Sequence, residues 1–175
     1  MKSFFILLLV ALSSVARAQQ SKPITEETPL LADGIEYGYS IKNAGTREVN
    51  NKDFSRYEVT LYATNKSTCS RIVLYGQSMS LFESDMKTLA KFDCINATGA
   101  KLTSKSGEVS AKPMYVNARV TTRDEKGKTV IENQKVQVGY YIGVGETVEQ
   151  NVIFIVPLNS KPDIKARIVN AVSTL

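Results

Sequence analysis

Side chains that could carry out chemistry are few in this sequence, and their types exclude several mechanisms. The 175 residues include no His, no Trp and two Cys. Without His there is no imidazole base to activate a serine or cysteine nucleophile, and a zinc site built on imidazole or on four thiolates cannot form. We therefore predict that the protein is not an enzyme and has no catalytic residues, no metal site and no cofactor.

Cys69 and Cys94 are the pair whose chemistry the sequence does suggest. They lie 25 positions apart, which is not the close Cys-x-x-Cys spacing of redox-active thiols. In an oxidising compartment two such thiols normally join, and the bond would stabilise the fold by about 3 kcal/mol in the chain-entropy treatment. We predict a structural disulfide, with a redox role as the less favoured alternative. The adjoining sequons at Asn65 and Asn96 matter only in a host that glycosylates proteins.

Three other patterns carry weaker signals. The 104–107 segment, Ser-Lys-Ser-Gly, holds the residue types of a serine-lysine dyad, but no second motif supports that chemistry. The 143–146 segment, Gly-Val-Gly-Glu, lacks the Lys-Ser/Thr ending of a phosphate loop and predicts a hairpin turn. A carboxylate pair for glycoside hydrolysis is available in principle, but the candidate acidic residues are more simply polar positions that face water. These are Glu36, Glu58, Asp93, Glu146 and Glu149.

Tyr140 and Tyr141 form the candidate binding surface. Tyrosine combines a flat apolar ring with a polar hydroxyl and is enriched where proteins bind one another. Neighbours on a strand point to opposite faces, so we expect one ring to face outward, beside a glycine turn of the kind that often carries binding residues. The alternative is that these tyrosines reflect β propensity alone.

The first eighteen residues predict a cleaved signal peptide. Lys2 is followed by an apolar run over 4–15 and by Ala16-Arg17-Ala18, a small-x-small cleavage pattern. A run of that length is too short to span a bilayer, so we expect no membrane span and an exported protein, periplasmic or extracellular. The 157 residues that remain carry 20 basic and 17 acidic side chains, interleaved. That balance does not favour nucleic acid as a partner.

The remaining chain is patterned with a period of two, which is typical of half-buried strands. Residues 19–33 are polar and predict a flexible lead-in, followed by a single domain over 34–175. The Asn-rich segment around Gly45 and the 104–113 segment predict loops, 123–128 predicts a hairpin turn, and Pro157 predicts a strand end. Residues 80–92 favour a short helix, with Ser80 and Glu83 at capping-box spacing. Strands are predicted at 35–41, 57–63, 71–75, near 94, and at 114–120, 130–140, 148–156 and 164–168.

Seven or eight short strands with at most one helix predict an all-β, antiparallel β-sandwich, immunoglobulin-like in architecture, with a small β-barrel as the alternative. The favoured function is a noncatalytic module that binds a protein or an envelope component through a sheet edge or a loop surface. The alternatives are a carrier of a small apolar ligand and, less favoured, a hydrolase that uses carboxylates alone. The sequence does not predict an oligomeric state.

Overall fold

The computed structural model describes residues 21–50, 52–74, 87–102, 106–123, 125–169 and 173–174. The predicted signal peptide lies outside these ranges, as do residues 80–86 of the predicted helix. No described segment is a helix long and apolar enough to cross a membrane. The strands are β1 (Ser21–Ile24), β2 (Leu30–Ala32), β3 (Ile35–Val49), β4 (Lys52–Asn65), β5 (Arg71–Leu74), β6 (Thr88–Ile95), β7 (Gly107–Ser110), β8 (Lys112–Arg123), β9 (Thr129–Ile142), β10 (Thr147–Pro157), β11 (Asp163–Ile168) and β12 (Ser173–Thr174).

The described strands form three antiparallel sheets of four strands each. Sheet A has the order β1-β11-β6-β7, sheet B the order β10-β4-β3-β2, and sheet C the order β12-β5-β9-β8. Sheets A and B pack face to face, which confirms the predicted antiparallel β-sandwich. Within the described ranges no sheet closes into a barrel, so the barrel alternative is wrong. The part of the chain that the structure describes contains twelve strands rather than seven or eight.

The core lies between sheets A and B, and the period-two pattern identified much of it. Ile35 and Tyr37 of β3 and Leu61 of β4 are buried on the inner face of sheet B, opposite Phe92 and Ile164 of sheet A. Burial of such side chains contributes about 1.5–3 kcal/mol each. The predicted strand end at Pro157 and the predicted turn over 123–128 are also confirmed.

Five segments differ from the sequence-based predictions. Residues 21–24 and 30–32, expected to be flexible, are edge strands too short to display a period. The polar segment around Gly45 is the outer half of β3, whose backbone pairs with β4 although its side chains are exposed. The expected 104–113 connection contains β7. The predicted strand near 94 is confirmed, but it begins at Thr88, so 88–92 is strand rather than helix, because β6 is a central strand whose burial does not alternate at its start.

The predicted disulfide between Cys69 and Cys94 is wrong. Both cysteines are free thiols and they lie far apart. Cys94 is fully buried in the core on β6, whereas Cys69 lies half-buried in the loop between β4 and β5. Burial, followed by the negative charge of Asp163, raises the pKa of the Cys94 thiol to about 11. The thiol of Cys94 is therefore protonated at neutral pH and serves as a small apolar core group.

Candidate functional site

A long two-stranded extension of sheet C is exposed along most of its length. β5 pairs with β9 at 139–142, and among the described residues β9 residues 129–137 pair with β8 residues 115–123 alone. We call these two segments the ribbon. It extends about 30 Å beyond β5 at the usual rise per residue. Its tip is a short turn in which Gly127 adopts a positive φ of 76°, a conformation that favours glycine.

One side of the ribbon, which we call the valine face, is mainly apolar. Register pairs Val116 with Val136 directly, and alternation places the even-numbered residues of both strands on this side. Val116 is 42% exposed and Val136 is 37% exposed. The other apolar members of the face are Ala118, Val120 and Val130.

The opposite side, which we call the cationic face, carries positive charge. The odd-numbered residues on this side include Arg119, Arg123 and Lys135 and no carboxylate. The Lys135 ammonium lies 4.9 Å from the centre of the Tyr115 ring, a cation-π contact. Ile131, 67% exposed, is also on this face. The ribbon therefore exposes apolar side chains on both sides and cations on one.

β8 is also the edge strand of sheet C. Across the ranges the structure describes, its only strand partner is β9. The edge begins with Lys112 and Pro113 and carries a register shift between Met114 and Tyr115. Prolines, bulges and charges are devices that discourage unwanted pairing at an edge. The proline, the register shift and Lys112 all lie at the base of β8. Between Tyr115 and the tip, the only charged residues on the strand are Arg119 and Arg123.

A buried asparagine ties the base of the ribbon to the sandwich. The Asn65 side chain is fully buried, and its Nδ2 donates to the carbonyl oxygens of Ile142, at 3.1 Å, and of Cys69, at 2.9 Å. Its backbone N–H donates to Glu146 O, and its carbonyl accepts from Gly145 N–H. One residue at the end of β4 therefore fixes the end of β9 and the β9–β10 turn. Asn65 Nδ2 is buried and hydrogen-bonded in the folded domain, whereas an asparagine that carries a glycan normally lies at the surface.

An ion pair reinforces the same junction. Lys112, the first residue of β8, pairs with Glu146 of the β9–β10 turn, and Glu146 also accepts a 2.7 Å hydrogen bond from the backbone N–H of Gly143. The hydrogen bond from Lys112, followed by that from Gly143, lowers the pKa of Glu146. The hydrogen bond to Glu146 likewise raises the pKa of Lys112. Glu146, which the sequence predicted to lie in a turn, therefore binds Lys112 at the start of the exposed edge strand.

Tyr140 and Tyr141 lie in the middle of sheet C rather than at a free surface. Both are half-buried, and β9 is flanked there by β5 and β8. Tyr140 packs against the core cluster, while Tyr141 lies on the opposite face beside Ile72. Their role as a binding surface stays a prediction.

One constellation resembles catalytic chemistry. Ser106 Oγ donates to Asp93 Oδ1 at 2.6 Å, and Lys101 Nζ lies 2.8 Å from that oxygen and 2.9 Å from Ser106 Oγ. Burial raises the pKa of Asp93, but hydrogen bonds from Lys101 and Ser106 outweigh it and lower the pKa overall. An ammonium group that donates to both oxygens has no lone pair to accept a proton from serine, and a carboxylate of lowered pKa is a weak base. This geometry is typical of a polar cluster that stabilises the segment following β6.

The other acidic candidates are mostly ion-paired. Glu36 lies 3.6 Å from Lys66 Nζ, and Glu58 lies 2.7 Å from Arg56. Glu149 is exposed. Among the described residues, no three His, Cys, Asp or Glu side chains come together to hold a metal ion.

Comparison with known proteins assigns no family. No protein-family model matches the chain, and neither the curated proteins nor the solved structures give a significant match.

Proposed function

We propose that this chain is an exported, noncatalytic interaction module that binds an extended segment of another protein along β8. The observation that carries the proposal is the ribbon: two strands of nine paired residues each, with an edge that no described residue pairs with and exposed apolar side chains on both faces. Binding by strand addition uses main-chain hydrogen bonds at such an edge and side-chain contacts on the two faces.

The energetics of a two-stranded ribbon support this assignment. An isolated hairpin is marginally stable in water, and three strands with an apolar face are normally needed for independent stability. The ribbon has two strands, and its apolar members are only partly covered. A third strand beside β8 would extend sheet C and cover part of the valine face. Exposed apolar area of this kind is typical of surfaces that bind proteins.

The exposed edge of β3 is a weaker candidate. β2 pairs with β3 only at 35–37, so β3 also has an unpaired stretch among the described residues. However, the carboxylate of Glu26 accepts a 2.6 Å hydrogen bond from the Ile41 N–H and occupies part of that edge. The side chains that follow are mostly polar, and the strand is backed by β4 and β10. The carrier and hydrolase alternatives stay predictions.

Titration with strand-forming peptides tests the proposal. The probes are three nine-residue peptides of sequence X-Val-Thr-Val-X-Val-Thr-Val-Thr, in which X is Glu, Gln or Lys. We expect at least one to bind and to slow amide hydrogen exchange over 115–123, because an added strand takes up the free edge groups of β8. The matched control is a shortened variant in which residues 117–135 are replaced by Asn-Gly. This variant joins the direct partners Val116 and Val136 through a two-residue turn.

The outcomes separate binding at the ribbon from other binding. Loss of peptide binding in a folded shortened variant supports the proposal. If none of the three peptides binds the intact protein, or if the shortened variant binds equally well, the assignment to β8 is wrong.

A further inference from the structure

We infer that the strand recognised by β8 is acidic, with two carboxylates four residues apart and β-branched residues between them. This inference rests on the proposed function and names the chemistry of the partner. The observation behind it is that the ribbon separates its charge by face: the cationic face carries three cations and no carboxylate, whereas the valine face carries Glu132 alone.

The spacing follows from the positions of the two arginines on the edge strand. Arg119 and Arg123 are four residues apart on β8, so both side chains lie on the cationic face, directly beside an added strand. A residue opposite each arginine lies about 4.5–5.5 Å away between Cβ atoms, close enough for an ion pair. Within the described residues, no ion pair involves Arg119 or Arg123.

The apolar positions of the partner follow from the same register. Between the arginines, Val120 and Thr122 lie on the valine face, and Ala118 and Val116 continue that face toward the base. A partner strand would place alternate side chains beside them, where β-branched residues pack well on a pleated surface. The predicted pattern is therefore an acidic residue, a β-branched residue, any residue, a β-branched residue and a second acidic residue.

The charge of β8 disfavours a second copy of this chain as the occupant. β8 contains Lys112, Arg119 and Arg123 and no acidic residue. Pairing two β8 edges would bring six cations and no β8 carboxylate to one seam, and like charges on adjacent strands are destabilising. An acidic strand meets the same cations with opposite charge.

The three peptides defined above test this inference, because they differ only at the two X positions. In low salt we expect the Glu peptide to bind roughly tenfold more tightly than the Gln peptide, and the Lys peptide to bind most weakly. The advantage should shrink in about 0.5 M salt, where exposed ion pairs are screened. In a variant with both Arg119→Glu and Arg123→Glu, the order should reverse, with the Lys peptide bound best.

The results distinguish this inference from the proposed function. Equal binding of all three peptides keeps strand addition at β8 and overturns the acidic partner, as does an unchanged order in the charge-reversed variant. Binding of no peptide, together with self-association of an Arg119→Thr, Arg123→Thr variant, would mean that the arginines only guard the edge; both proposals would then fail. Displacement of the Glu peptide by a nine-nucleotide DNA strand at lower concentration than by unlabelled peptide would point to nucleic acid and overturn the inference.

Discussion

Asn65 shows how much of the structure depends on one polar side chain. It lies at the end of β4, yet its amide and backbone groups connect the β4–β5 loop, the last residue of β9 and the β9–β10 turn. Ser67 returns a 3.0 Å backbone hydrogen bond and a 2.6 Å hydroxyl hydrogen bond to Asn65 Oδ1. A buried polar group with all of its partners present specifies one arrangement, and it is costly once a partner is lost.

We predict that Asn65→Ala lowers the free energy of unfolding by about 3 kcal/mol, because two carbonyl oxygens lose their donor in a buried site. Urea denaturation of the purified protein measures the change. The matched control is Asn96→Ala in the other sequon, whose Oδ1 accepts hydrogen bonds in an exposed turn; there we expect a loss of about 0.5–1 kcal/mol. Equal losses in the free energy of unfolding of the two variants would show that Asn65 does not connect the β4–β5 loop, the end of β9 and the β9–β10 turn as described.

The free thiols make a second residue-scale prediction. We expect a thiol reagent to modify Cys69 in the native protein and Cys94 only when the chain unfolds, because Cys94 is fully buried and its pKa is raised to about 11. Cys94→Ser should cost about 1–3 kcal/mol by burying a hydroxyl among apolar groups, and Cys69→Ser should cost little. If a denatured, unreduced sample contained no reactive thiol, Cys69 and Cys94 would be joined in a disulfide and this prediction would be wrong.

Among the elements, β7 depends on the absence of a side chain at Gly107. A Cβ at position 107 would lie close to Leu61 Cδ1 and 3.2 Å from Val152 Cγ1. β7 therefore approaches sheet B so closely that only a residue without a side chain fits there. We predict that Gly107→Ala lowers stability by about 1–3 kcal/mol through overpacking. Gly45→Ala is the control, because nothing lies within 4 Å of a Cβ there. Thermal unfolding of the two variants would contradict the close approach if both retained the parental Tm.

The junction between β8 and the β9–β10 turn should be sensitive to acid. The folded state lowers the pKa of Glu146, so its contribution to stability is present above the ordinary glutamate pKa of 4.5 and is lost as the pH falls through the folded value. At pH 7 we expect Glu146→Gln to lower the Tm by about 2 °C, and the difference to vanish at low pH. The exposed Glu149→Gln provides the control. A Tm difference that persists at pH 2 would contradict the ion-pair explanation.

The sequence predicted where strands form better than it predicted which strand faces are covered, and the reason is physical. Alternation reports that one face of a strand meets apolar groups, and it placed Tyr37, Leu61 and Phe154 in a core that the structure contains. The same alternation in Val116 and Val120 predicted an equally ordinary strand, although Val116 is exposed. Periodicity cannot tell whether an apolar face is covered by the same chain or by another molecule. The predicted strand at 114–120 has the same length as those at 35–41 and 57–63, so predicted strand length did not indicate a ribbon.

At the scale of the whole molecule, the ribbon and the sandwich are separable. No described residue between 112 and 139 belongs to the core cluster, whereas Ala111 just before that stretch and Ile142 just after it are both members. Stability that depends on buried apolar area should therefore reside in sheets A and B and in the base of sheet C. The ribbon contributes surface to the molecule and little to its core.

We therefore predict that the shortened variant, with Asn-Gly in place of 117–135, folds with a Tm within about 3 °C of the parent. The reason is that the excised residues contact one another but leave the core cluster complete. Differential scanning calorimetry measures the Tm, and hydrogen exchange should show unchanged protection in β4 and β6. In the intact protein the ribbon amides should exchange much faster than those of β4, since an unsupported two-stranded segment opens locally. A large loss of Tm on excision would show that the ribbon is part of the folding unit. Its exposed edge would then have a structural role, and an interaction surface would need to be sought elsewhere on the molecule.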